Sequence, residues 1–399
     1  MKHSLNRFFS KFVCIFFILF IYCAKAATES PKEAILKDAI VRASSQYTWM
    51  LKQIHGSKML PRSFEHNKRM MVKASDWTSG FFPGSLWLLY ELTNNEQFKN
   101  NAEYYTRLLE TEQFDQGTHD IGFMLYCSSG NAYRITHEPY YKNILLNGAK
   151  SLSTRFNSNV GGIKSWDTKP WTYPIIIDNM MNLELLTWAS RETGLSTYKL
   201  IATAHADLSL RNHFRLNGSS YHVVDYNPVD GRVIQKRTHQ GAADNSSWAR
   251  GQSWAIYGYT MMYRETGNLA YLKQAQKTAL LFINYPTMPS DGVPFWDYNA
   301  PNNPNELRDS SAAAIMCSAL FELSDFSSGT EKQIFLNFAW KQLTTLMSEN
   351  YLASVGLNGG FLLMHATGHH PKNSEMDVPL NYADYYFLES LLRAKNHVN

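Results

Sequence analysis

From residue 27 to residue 399 the apolar positions recur every three or four residues rather than alternating, as in SPKEAILKDAIVRASSQYTWMLKQI, GSLWLLYEL and ADYYFLESLLRAK. That period predicts amphipathic helices almost throughout, with few and short strands. A looser repeat lies over it, in which an apolar helix ends in a polar turn and a second amphipathic helix follows. LLYELTNNEQFKNNAEYYTRLLE, LLTWASRETGLSTYKLIATAHADL, YTMMYRETGNLAYLKQAQKTALLF and CSALFELSDFSSGTEKQIFLNFAWKQL are the clearest copies. Glycine or asparagine sits where a helix C-terminus calls for a left-handed residue. A fifth pair fits residues 120–156, and the first and last helices, near 33–54 and 380–396, can form a sixth across the termini. Six hairpins suggest a closed double ring of helices or an open solenoid. The irregular repeat length and the long, aromatic-rich connections at 56–79, 157–175, 216–247 and 287–308 favour closure, since an open solenoid has no need of them. No Pro/Ser linker or charge block divides residues 27–399, so one domain is expected there.

The long connections run into the first helix of each pair, and the unusual residues gather at those junctions: Asp76-Trp77, His119-Asp120, Asp178, His239-Gln240, Trp248, Arg250 and Asp309. If the inner helices of a ring run parallel, their N-termini share one end. One pocket there would collect residues scattered along most of the chain.

Composition narrows the classes. With 44% hydrophobic and 18% charged positions in 399 residues, disorder is excluded. The excess of Lys and Arg over Asp and Glu, 38 against 34, lies wholly in the first 26 residues, as Lys2, Arg7, Lys11 and Lys25. The remainder is neutral and offers no field for nucleic acid. In that leader a basic start is followed by the apolar run FVCIFFILFIYC and by Ala24-Lys25-Ala26, a small-x-small cleavage site. It reads as a secretory signal peptide over residues 1–26, the run being too short to span a bilayer comfortably. The mature chain is then secreted or periplasmic and free of the membrane. Bulky Tyr22 disfavours lipidation at Cys23. Cys127 and Cys317 remain after cleavage, both within apolar helical patterns, and read as buried free thiols. No Cys-x-x-Cys or His-Glu-x-x-His spacing occurs, so neither a metal nor another cofactor is expected.

Candidate chemistry sits at the helix junctions. WTSGFFPGSLW, which holds Trp77, suits a packed helix start or an aromatic platform for a sugar ring. Asp120 in THDIGFMLY and Asp178 in YPIIIDNMMNLELL each open a helix, so each is a cap or a catalytic carboxyl. Asp178 follows three isoleucines and precedes two methionines, where desolvation penalises its charge. Burial raises a carboxyl's pKa and a helix N-terminus lowers it; if burial wins, Asp178 holds a proton near neutrality and is a general acid. Two such groups in a sugar pocket are the minimum for cleaving a glycosidic bond. His222, Thr238, His239, Gln240, Trp248, Arg250, Gln252 and Trp254 crowd into HVVDYNP and THQGAADNSSWARGQSW, offering donors, aromatic faces and one fixed cation. Arginine can grip a carboxylate through two parallel bonds. His369, His370 and Lys372 are solvated loop residues or a subsite for a second acidic group.

Taken in order, WTSGFFPGSLW, THDIGFM, IIDNMMNLELL, THQG, SWARGQSWAIYGY and DVPLNYADYYFLESLL make the chain resemble the unsaturated glucuronyl hydrolases, glycoside hydrolase family 88. The resemblance runs over nearly the whole mature chain. It implies an all-α (α/α)6 barrel and a metal-free hydrolase whose partners are unsaturated uronic-acid oligosaccharides. Such an enzyme removes the 4,5-unsaturated uronic acid that polysaccharide lyases leave at the non-reducing end. The family protonates C4 of the enol ether, adds water at C5 and lets the hemiketal expel the rest of the chain. By match to the family's motifs, Asp178 is the acid and then base, and Asp120 is the second essential carboxylate, contacting the sugar hydroxyls. Trp77, His222, Gln240, Trp248 and Trp254 match pocket contacts, while Thr238, His239 and Arg250 lie where the family grips the uronate. Some members carry a Ser- and Lys-containing sulfate site near the C-terminus; here the stretch is TGHHPKNS. Alternatives are an unsaturated rhamnogalacturonyl hydrolase on the same barrel, a sugar-binding barrel without catalysis, and a helical-repeat adaptor. The adaptor leaves the clustered Asp, Trp and Arg residues unexplained.

Overall fold

The computed structural model describes residues 30–398; the expected leader, residues 1–26, lies outside them. The described residues form twelve α-helices: α1 (Pro31–Gln53), α2 (Phe81–Thr93), α3 (Glu96–Arg107), α4 (Asn131–Thr136), α5 (Pro139–Ser153), α6 (Leu183–Thr193), α7 (Ser196–Asn212), α8 (Ala249–Thr266), α9 (Leu269–Ile283), α10 (Ser310–Asp325), α11 (Gly329–Met347) and α12 (Asn381–Ala394). A π-helical stretch, Gly122–Gly130, runs into α4, and a 3-10 turn, Ile177–Asn182, runs into α6. Asn94, His137, Gly194 and Gly267 end α2, α4, α6 and α8 in the left-handed conformation. α10 stops differently, at right-handed Phe326.

Helices α2, Gly122–Thr136, α6, α8, α10 and α12 stand side by side, and α12 closes on α2. The closure is tight. A Cβ on Gly84 of α2 would lie 2.5 Å from the Cys127 carbonyl oxygen and 2.6 Å from the Tyr385 ring, so only glycine fits between its two neighbours in the ring. Helices α3, α5, α7, α9 and α11 pack behind as an outer layer. α1 completes that layer against α2, and its Tyr47 hydroxyl donates to Asp384 Oδ2 of α12 at 3.1 Å. The architecture is a closed (α/α)6 barrel and not an open solenoid. Position in the ring explains composition: in α8 every residue from Ala249 to Met262 is buried, as an inner helix requires, whereas α3 buries one stripe. Cys127 and Cys317 are buried free thiols.

Toward one end of the ring a set of ion pairs joins the inner helices. Arg264 of α8 bonds Glu184 of α6, Glu322 of α10 and its neighbour Glu265, and Arg393 of α12 bonds Glu322 at 2.9 Å. Burial works against the Glu322 charge, yet the two guanidiniums outweigh it and hold the carboxyl below its ordinary range.

The long connections gather at the opposite end and contain short antiparallel strands. They are β1 (Leu60–Glu65) with β2 (Lys68–Val72), β3 (Phe156–Asn157) with β4 (Gly162–Ile163), a sheet ordered β5 (Pro174–Ile176), β6 (Val223–Tyr226), β7 (Val233–Arg237), and β8 (Ala366–His369) with β9 (Ser374–Val378). These pairings turn what the sequence reads as connections into a braced rim.

Candidate active site

Within the rim, at the N-terminal ends of the inner helices, a cavity of about 200 Å³ opens. Its floor and walls come from residues just before or inside those starts: Trp77 before α2, Asp120 before the π-helical stretch, Asp178 before α6, Arg250 in α8 and Tyr382 in α12. The parallel inner helices thus bring together residues more than 300 positions apart in sequence.

Strand pairing sets the central contact. Ile176 of β5 opposes Val223 of β6, and the Ile177 amide donates to the His222 carbonyl at 3.0 Å. Asp178 and His222 are therefore neighbours, with His222 Nε2 3.7 Å from Asp178 Oδ2. Asp178 is 8% exposed. Burial lifts its carboxyl to about 7; the Arg250 charge, its own amide and the Trp254 indole oppose the rise, and the Asp120 charge adds to it. Asp178 is the second residue of the turn Ile177–Asn182, whose N-cap position is Ile176.

Asp120 is arranged in parallel. Burial lifts it to about 7 against bonds from Asn182 and Thr118. His119 Nε2 lies 3.2 Å from Asp120 Oδ1, and His119 Nδ1 is 2.8 Å from the Ser165 carbonyl. Two carboxyls that exchange protons near neutrality in one pocket are equipped for acid–base chemistry.

An aromatic wall faces them. Trp77 packs on Tyr382, centroids 5.2 Å apart and tilted 33°, and on Phe123 at 5.7 Å. His239 and Gln240 also line the cavity, with Gln240 Nε2 donating to the Gly368 carbonyl at 3.0 Å. Three predicted residues stand behind the wall instead. Trp248, 3% exposed, lies under the His222 ring at 4.5 Å. Trp254, 1% exposed, packs on Phe123 and Tyr386 and turns its indole to Asp178. His222 is set between Trp248 and Asp178. Thr238 lines an adjoining cleft of about 470 Å³ with Trp166, Trp171, Arg237 and Lys372, and its hydroxyl accepts the Gly241 amide at 2.8 Å.

Arg250 borders the cavity, but its fork is engaged within the protein. It donates to Asp309 Oδ2 at 2.9 Å and to the Thr367 and Gly368 carbonyls at 2.6 Å each, and stacks 4.6 Å over Trp248. It ties β8 to the start of α10.

Arg62, Phe123, Trp166, Glu375 and Tyr382 line the cavity without having been singled out from sequence. Arg62 is held by Asp76 at 2.8 Å and by Glu375 through two bonds, at 2.5 and 2.9 Å. Trp166 meets the His239 ring at 5.0 Å; the paired tryptophans of SWDTKPW were the available signal. A larger cavity, about 520 Å³, opens elsewhere and shares Phe123. Its Glu184, Glu389 and Arg393 belong to the ion-pair set. Among the described residues no group of three or more His, Cys, Asp or Glu could hold a metal.

The family described as Glycosyl Hydrolase Family 88 matches residues 50–371. An unsaturated glucuronyl hydrolase of Formosa agariphila is 47% identical over 346 residues, covering 86% of each chain. One from a Bacillus species is 35% identical over 83% of this chain and 89% of its own. A solved unsaturated glucuronyl hydrolase specific for heparin superposes with a TM-score of 0.89 at 44% identity, covering 91% of this chain and 98% of that one.

Proposed function

The chain belongs to glycosyl hydrolase family 88 and is a glycosidase acting on unsaturated uronic acid; from that premise we propose that it hydrates the enol ether of the 4,5-unsaturated residue at the non-reducing end of oligosaccharides, with Asp178 as the acid. Asp178 gives its proton to C4, and positive charge develops at C5, shared with the ring oxygen. Water adds at C5 and loses a proton to the Asp178 carboxylate. The hemiketal opens to a C5 ketone and the aglycone leaves from C1, so one carboxyl serves in both directions and is restored. Asp120 positions the sugar hydroxyls, and Trp77 with Tyr382 faces the ring.

The observation that carries the proposal is Asp178 itself: a carboxyl 8% exposed at the cavity and lifted to about 7, so that it holds a proton close to neutrality. The basic, apolar and small-residue leader supports action in the periplasm or outside the cell.

Turnover in deuterated, oxygen-18 water tests the chemistry. Hydration places deuterium at C4 and, before exchange, oxygen-18 on the C5 carbonyl of the released keto-uronate. Direct displacement would label C1 and leave C4 without deuterium at cleavage. Saturated glucuronides should resist the enzyme, and their rapid hydrolysis would defeat the proposal.

A further inference from the structure

Each pocket carboxyl has a buried imidazole beside it, and the bonds on the far side of each ring fix the two in opposite tautomers. His222 Nδ1 accepts two backbone N–H groups, from His239 and Gln240, at 3.2 Å each. A nitrogen that accepts carries no proton, so the His222 proton is on Nε2, the atom facing Asp178 Oδ2. His119 is wired the other way. Its Nδ1 lies 2.8 Å from the Ser165 carbonyl, which can only accept, so Nδ1 bears the proton and Nε2 presents a bare lone pair to Asp120 Oδ1 at 3.2 Å. His119 Nε2, His222 Nε2 and Asp178 Oδ2 are buried without another hydrogen-bond partner among the described residues.

We infer that the two histidines are positioning residues that bias the two carboxyls in opposite directions: His119 receives a hydrogen bond from protonated Asp120 and keeps it neutral, while His222 donates to Asp178 and stabilises the carboxylate formed as its proton leaves.

Both rings are held uncharged. Burial is the main cause, drawing His119 down to about 3, with Arg155 adding to it; His222 is drawn well down by burial and then by His239, Arg250, His369 and His213, which press in the same direction. A cationic His222 would also have to release the two amides on Nδ1. The other groups facing Asp178 are Arg250, Asp120 and the Trp254 indole; those facing Asp120 are Asn182, Thr118, Asp76 and Arg155. None of these brings a bare nitrogen lone pair to Asp120, so that part falls to His119.

At 3.7 Å the His222 donor is short of bonding distance. An approach of about half an ångström makes the bond, and catalytic hydrogen bonds commonly tighten when substrate enters. A donor bonds an ionised carboxyl more strongly than a neutral one, so this contact favours the transition state over the ground state. That step rests on Asp178 being the acid; the tautomers do not.

The test is NMR of the full chain. In unmutated enzyme labelled with nitrogen-15 at histidine, His222 should give the neutral Nε2–H pattern and His119 the neutral Nδ1–H pattern; reversed or charged rings overturn the inference. With carboxyl-labelled aspartate, assigned through Asp178→Asn and Asp120→Asn, His222→Phe should raise the Asp178 midpoint by about one pH unit, because the ionised carboxyl draws the donor in and the variant lacks that charge-assisted bond. His119→Phe should lower the Asp120 midpoint by a similar amount. His222→Gln, whose amide can donate from the Nε2 position, should restore most of the Asp178 value. A fall of both carboxyls in either phenylalanine variant means water has entered, and overturns the inference. The alkaline limb of kcat/KM should rise with the Asp178 midpoint in His222→Phe. A midpoint that moves while the limb stays leaves the wiring intact and instead removes Asp178 from the role of acid.

Discussion

Replacing Asp178 with asparagine should cut turnover by orders of magnitude and, at alkaline pH, make the protein more stable. The carboxyl is lifted from 3.8 to about 7 in the folded chain, chiefly by burial. A shift of about three units, at about 1.4 kcal/mol each, places the ionised form on the order of 4 kcal/mol above what it would be in the unfolded chain. The sign follows from the direction of the shift. Folding favours the protonated group, so the penalty is absent well below pH 4, grows as pH rises from 3.8 toward 7, and is constant above. Asparagine is neutral throughout and escapes it. Asp178→Asn should therefore exceed the unmutated protein by about 4 kcal/mol at pH 8, with about 2 to 3 kcal/mol of that advantage gone by pH 5. Denaturant midpoints of both proteins at the two pH values measure the difference. Loss of the ultraviolet absorbance of the conjugated double bond measures activity, which should fall by about 10² to 10⁴. A stability difference that is the same at pH 5 and pH 8 would refute the claim that burial holds the proton on Asp178. Near-native turnover in the folded variant would refute its role.

Two further expectations separate frame from chemistry. Arg250→Lys should cost about 1 to 3 kcal/mol, because an ammonium cannot span Asp309 and the Thr367 and Gly368 carbonyls together and leaves a buried acceptor unpaired; an unchanged denaturation midpoint with a raised KM would show instead that its fork serves the substrate. Arg264→Met should cost about 3 to 5 kcal/mol by leaving the Glu184 and Glu322 charges without this partner, while KM stays as it was; a large KM change with unaltered stability would show that the ion pairs are part of the site.

The helical period and the hairpin repeat made the double ring legible, because an inner helix must be apolar on nearly every face and an outer one only on a stripe. Closure was legible more weakly, through the long connections, and Gly84 shows in retrospect how close the last helix comes to the first. The carboxyls were visible because a charge among Ile175, Ile176 and Ile177 contradicts its surroundings. Arg62 and Glu375 were not, since each is an ordinary residue in a strand-forming rim and acquires meaning only through a pairing 313 positions apart. Trp248 and Trp254 show the converse: aromatic residues near a site are conspicuous in sequence, but only packing distinguishes a wall from its support.

The starts of the inner-ring helices show how displacement from the cap position changes what an aspartate does there. Asp309, Asp178 and Asp120 all precede or begin inner-ring helices, and an aspartate there is expected to bond the free amides of the first turn. Asp309 does so: its Oδ1 accepts the Ser311 amide at 3.1 Å, and Arg250 takes Oδ2. Asp178 and Asp120 stand beside the cap positions, which Ile176 and Ile121 occupy, and both line the cavity. A 3-10 turn that contains Asp178 and a π-helical stretch after Asp120 replace regular α-helical starts at these two places, whereas α10 begins regularly behind Asp309. Departures of this kind are tolerated where function needs them. The same residue type near the same end of the ring is thus a helix cap at Asp309, where it holds the N-cap position, and a buried cavity carboxyl at Asp178 and Asp120, where isoleucines hold it.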